Sequence, residues 1–105
     1  MSLNIRDIPE LKAQLEPICR RFEVSRLDLV GSAACGDFDP EASDLDFLVT
    51  FNPTDPASKA DRYFGLLEAL EAESGYSVDL LEEKALTNRV LIDSLQRTRI
   101  PLYAA

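Results

Sequence analysis

The stretch Gly31-Ser32-Ala33-Ala34-Cys35-Gly36-Asp37-Phe38-Asp39-Pro40-Glu41-Ala42-Ser43-Asp44-Leu45-Asp46-Phe47-Leu48-Val49 joins two apolar runs. Before it, Arg26-Leu27-Asp28-Leu29-Val30 reads as a short strand with Leu27 and Leu29 on one face. After it begins a second strand, from Leu45 to Phe51. Gly31-Ser32 ends the first strand, and Ala33 to Ser43 reads as a loop holding Gly36, Asp37, Asp39, Pro40 and Ser43. Asp44 and Asp46 stand one residue apart where the second strand begins, so their side chains share a face. Two neighbouring carboxylates repel wherever water is partly excluded. A divalent cation between them removes that cost, and all-oxygen ligation suits Mg²⁺.

Working outward, the remaining elements follow from periodicity. Leu11, Leu15, Ile18, Cys19 and Phe22 mark one face of a helix, with Asp7 as its cap and Pro9 in its first turn. Pro17 lies inside this pattern and predicts a kink or a break. Asn52-Pro53 and Asp55-Pro56 form a turn, and a helix runs from Ala57 to Glu73, ended by Ser74-Gly75. Tyr76 to Leu81 is a third strand, Thr87 to Arg97 a further helix, and Ile100 to Tyr103 an edge strand. The order α-β-β-α-β-α-β predicts an α/β (α+β) fold, a small mixed sheet with helices packed against it.

Residues 1–105 read as a single domain. Against 19 acidic residues stand 11 Lys and Arg, a net charge of −8, which argues against unaided binding to nucleic acid or to an anionic membrane surface. The chain contains 0 His, which rules out a His-based triad and a His-ligated zinc site. No apolar run reaches the roughly 20 residues of a membrane span, and Met1 to Asp7 lacks the order of an export signal. Cys19 and Cys35 fit no metal-ligand spacing, and without an export signal both thiols are expected reduced, in the cytoplasm.

Asp79 is the third candidate ligand. It interrupts Ser77-Val78-Asp79-Leu80-Leu81, which otherwise reads as a buried strand, where a carboxylate must be paired or coordinated. The other reading places it on the exposed face of an edge strand. If its strand lies beside that of Asp44 and Asp46, three acids converge and can hold two metals suited to in-line phosphoryl chemistry. Gly31 permits close approach of backbone to a phosphate, the Ser32 hydroxyl can donate to triphosphate oxygens, and Gly36 lets the chain turn away. Taken alone, Asp44-x-Asp46 is a solvated acidic turn. Gly31-Ser32 ahead and Asp79 behind turn the reading toward a metal site. Ser32 and Ser43 also suit caps or turns.

Two other charged groups carry no such signal. Asp37, Asp39 and Glu41 do not make a calcium loop, because Ala42 and Leu48 occupy the positions that need Gly and Glu. Arg89, Arg97 and Arg99 favour a helix end, or else reach phosphates or an acidic partner.

Gly31-Ser32, Gly36 and Ser43-Asp44-x-Asp46 resemble the signature of the polymerase-beta-type nucleotidyltransferases, and the chain length resembles their minimal (MNT) members. Val78-Asp79-Leu80-Leu81 is similar to the family's third-acid strand, and Leu86 to Tyr103 to its closing helix and strand. The resemblance covers about residues 10 to 103. It implies nucleotidyl transfer from ATP, with two Mg²⁺ ions, or Mn²⁺, held by Asp44, Asp46 and Asp79. It implies contacts to the nucleotide from Gly31, Ser32, Gly36 and Ser43. It also implies a HEPN-domain toxin as partner, neutralised by contact or by transfer of AMP to a tyrosine. A homodimer is the other way to complete a nucleotide cleft. Many members of the family carry a basic residue, usually Arg, immediately before the second Gly, where this chain has Cys35. A non-catalytic module that neutralises a helical partner by contact alone is the alternative. Transfer to a small molecule or to an RNA end is disfavoured by the lack of an acceptor domain and by net charge.

Overall fold

A computed structural model describes residues 3–39 and 41–105. Pro40, part of the expected loop, lies outside the described residues.

The chain order is α1 (Ile8–Arg21), β1 (Val24–Val30), α2 (Gly31–Cys35), β2 (Leu45–Phe51), α3 (Pro56–Ser74), β3 (Val78–Glu82), a 3-10 turn (Glu83–Ala85), α4 (Arg89–Thr98) and β4 (Ile100–Ala104). The strands form one sheet in the order β3-β2-β1-β4. β2 and β3 run parallel, whereas β1 is antiparallel to both β2 and β4. The mixed sheet and its helices match the expected fold class.

Alternation along the strands separates two faces. Leu27, Leu29, Leu45, Phe47, Val49 and Leu80 point to the main core, where α1 contributes Leu11, Leu15 and Cys19 and α3 contributes Leu66 and Leu70. Burial pushes the Cys19 thiol up to about 12, so it stays protonated. The opposite face carries a smaller cluster of Val30, Leu48 and Leu95, flanked by Leu81 and Leu86. Leu95 belongs to α4, which therefore covers only part of that face.

Two expectations need correction. The helix does not break at Pro17 and runs unbroken from Ile8 to Arg21. Pro17 is exposed on the side away from Leu11, Leu15 and Cys19, whose burial holds the helix to the sheet. Ala33 to Cys35 is not loop but the body of the short α2, which ends at Gly36 in the left-handed conformation, φ +81°. The irregular segment starts only after Gly36.

Candidate active site

The acids reach one place through strand register. Asp46 is the second residue of β2, Asp79 the second residue of β3, and the two are direct partners in the parallel pair. Parallel neighbours lie about 4.8 Å apart, so both side chains leave the same sheet face side by side. Asp44 precedes β2 by one residue, at a position exposed to solvent. Asp46 is half-buried, and its carboxyl is raised above the usual range, first by burial, then by Asp79 and Asp44.

Asp79 corrects another expectation. It is exposed, because β3 is an edge strand of the sheet. The strand is buried on its other side, where Leu80 enters the core and its carbonyl accepts from the Tyr63 hydroxyl at 2.6 Å.

Gly31 opens α2 directly against Asp46. Its φ is +70°, and a Cβ built there would overlap Oδ2 of Asp46, so any other residue would be strained and would displace that carboxylate. Ser32 follows in the same turn, and its carbonyl accepts from the Asp37 N–H at 2.8 Å, closing the end of α2. Gly36 has open space around its missing Cβ, so its conformation rather than close approach calls for glycine. Ser43 serves the loop: its hydroxyl accepts from the Asp39 N–H at 3.2 Å, and its own N–H donates to the Asp39 carbonyl at 2.8 Å. The Asp39 carboxylate also accepts from the Glu41 N–H at 2.9 Å. This turn sets Asp44 at the mouth of β2.

No salt bridge to Lys or Arg engages Asp44, Asp46 or Asp79 among the described residues. Nor do three carboxylate or thiol groups there converge closely enough to hold an ion as they stand. The donor chemistry still suits a hard divalent cation, being three carboxylates, of which Asp44 and Asp79 are exposed. Cys35 is exposed at the end of α2 and brings no positive charge.

A second charged group on this face went unnoticed in the sequence. Asp28 is wholly buried. Its Oδ2 accepts from Arg99 Nε, and its Oδ1 from Arg26 Nε at 3.2 Å. Arg99 also donates twice to Glu83, at 3.0 Å and 2.9 Å, and the Thr50 hydroxyl reaches Glu83 at 3.5 Å. Arg99 is thus held in an ion network with Asp28 and Glu83. The signal available was Asp28 between Leu27 and Leu29, the pattern that drew attention to Asp79.

The family described as "Nucleotidyltransferase domain" matches residues 11–101. A Methanocaldococcus jannaschii protein provisionally named a protein adenylyltransferase is 30% identical over 98 residues, 92% of this chain and 96% of its own. A solved structure described provisionally as a minimal nucleotidyltransferase superposes with a TM-score of 0.72 at 33% identity, covering 91% of this chain and 96% of its own. A chain in the complex of a tri-AMPylated Shewanella oneidensis HEPN toxin with an MNT antitoxin shares the fold, with a TM-score of 0.61 at 16% identity. That match covers 94% of this chain and 74% of the other.

Proposed function

We propose, from the premise that this chain belongs to the nucleotidyltransferase domain family, that it transfers AMP from ATP to a partner protein of the HEPN toxin class and serves as its antitoxin. In this reading residues 1–105 act as one minimal domain in the cytoplasm. One observation carries the reading: Asp46 faces Asp79 across the parallel strands, Asp44 stands beside them, and none of the three has a cationic partner among the described residues.

Asp44, Asp46 and Asp79 would hold Mg²⁺, with two ions accommodated and Mn²⁺ able to replace them. Such ions neutralise triphosphate charge and stabilise attacking and leaving oxygens. The glycine at position 31 lets phosphate oxygens approach the backbone, and the Ser32 hydroxyl donates to them. Gly36 and Ser43 fix the two ends of the connecting segment around the nucleotide. An acceptor hydroxyl gives its proton to the Asp79 carboxylate as its oxygen bonds to the α-phosphorus. The bond from that phosphorus to the bridging oxygen breaks, and pyrophosphate leaves.

The exposed Cys35 favours a second reading, in which the domain neutralises its partner by contact alone, because no positive charge stands at that point of the nucleotide loop. Incubation with α-labelled ATP, Mg²⁺ and a HEPN-class protein separates the two. Label on the HEPN protein, lost with Asp44→Ala and Asp46→Ala, supports transfer. Neutralisation without label, unchanged by both substitutions, rejects it.

A further inference from the structure

At the end of the sheet away from the acids lies a cavity of about 250 Å³, lined by residues that include Phe51, Asn52, Lys59, Arg62, Glu82 and Lys84. Asp46 pairs with Asp79, and Val49 with Glu82 three residues further on, so the cavity begins about 10 Å along the strands. Phe51 and Glu82 alternate onto the main-core side of the sheet, whereas Asp46 and Asp79 point to the other. The two places are separate.

The cation content is unusual for this chain. Its net charge is −8, yet two of its three lysines and one arginine line this wall against a single carboxylate, Glu82. Lys59 and Lys84 are exposed and take part in no salt bridge among the described residues. Arg62 is fixed, its side chain only 13% exposed. It donates to the Asn52 carbonyl at 2.8 Å and pairs with Glu23. Glu23 stands in the left-handed region, φ +56°, the one such non-glycine residue among those described, and its carbonyl accepts from the Asn52 N–H at 3.0 Å. A strained residue thus holds both Arg62 and the turn that forms the rim, an arrangement that persists only where the surrounding structure over-determines it.

We propose that this cavity binds a phosphate monoester carrying a flat ring, the class of the nucleoside monophosphates, at a site distinct from the acids. Lys59, Lys84 and the Arg62 edge supply charge-assisted donors for a phosphate dianion. Phe51 offers an apolar wall for the ring, and Glu82 and Asn52 accept from amino or hydroxyl groups that a bare phosphate lacks. Phosphate held mainly by exposed ammonium groups is released by salt.

The test is a backbone-amide NMR titration of the full chain with AMP, with inorganic phosphate and with adenosine. AMP should shift Asn52, Thr54 and Lys84, inorganic phosphate should shift them more weakly, and adenosine should not shift them. The double variant Lys59→Gln/Lys84→Gln, altered only at exposed side chains, should bind AMP at least tenfold more weakly. Asp46→Asn should leave these shifts intact, which keeps this site apart from the proposed transferase site. AMP shifts confined to residues around Gly31, Asp46 and Asp79 would overturn the proposal. So would unchanged affinity in the double variant, or phosphate binding as tightly as AMP.

Discussion

Two groups of carboxylates share one face of the sheet and meet opposite fates. Asp28 and Glu83 close around Arg99, with Arg26 at the rim, and every charge is answered. Asp46 and Asp79, two residues nearer the strand starts, face each other with Asp44 alongside, and none of the three has a salt bridge among the described residues. The sequence contexts are nearly the same, Leu27-Asp28-Leu29 against Val78-Asp79-Leu80. What differs is coverage: β1 is a central strand beneath Arg99, whereas β3 is an edge strand left open. A buried carboxylate must be paired within the chain to be tolerated. An exposed group of repelling carboxylates stays open to a charge from outside, and repulsion kept in place costs stability that a structural role would not justify.

Substitutions should separate the two groups. The largest effect is expected from Asp46→Asn: about a thousandfold loss of nucleotidyl transfer, measured with labelled ATP, while the melting temperature stays level or rises as the repulsion is relieved. A drop in melting temperature with transfer retained would place Asp46 in the structural class. Arg99→Ala should behave in the opposite way. It leaves the buried Asp28 with only the half-exposed Arg26 and costs about 3 kcal/mol, a fall in Tm of roughly 12 °C or more. Residual transfer well below that Tm should remain near the wild-type level.

Acid should also tell the groups apart. Arg99 hydrogen bonds hold the Glu83 carboxyl below its ordinary value of 4.5. Its contribution is therefore fully present above about pH 4.5 and is lost as pH falls through the lower folded value. Glu83→Gln should flatten the acid limb of stability measured by urea unfolding between pH 5 and pH 3. An unchanged limb would mean that the pair contributes nothing. The smallest effect is expected from Cys35→Arg, which brings a cation to the exposed end of α2. It should lower KM for ATP a few-fold, the scale of an exposed charge pair, with stability within about 0.5 kcal/mol of wild type.

Legibility in the sequence followed the range of the interactions. β2 was readable to the residue, because alternation over Leu45 to Phe51 is local. The long α3 was readable through its apolar spacing and Gly75, which ends it at φ +75°. Four residues between two glycines give no period to detect, so α2 looked like loop. The apolar run around Asp79 suggested burial, but whether a strand lies at an edge depends on its neighbours and not on its own residues. Asp28 went unnoticed because its partner Arg99 is 71 positions away. The spacing of Gly31 from Asp46 was visible, but its reason became clear only in three dimensions, where a Cβ would overlap the carboxylate.

Calorimetric titration of Mg²⁺ into the protein, with a non-hydrolysable ATP analogue present, shows whether the three acids hold metal. Saturable binding is expected that disappears in Asp46→Asn and persists in Glu83→Gln. No heat from Mg²⁺ or Mn²⁺, or binding that survives Asp46→Asn, would contradict it.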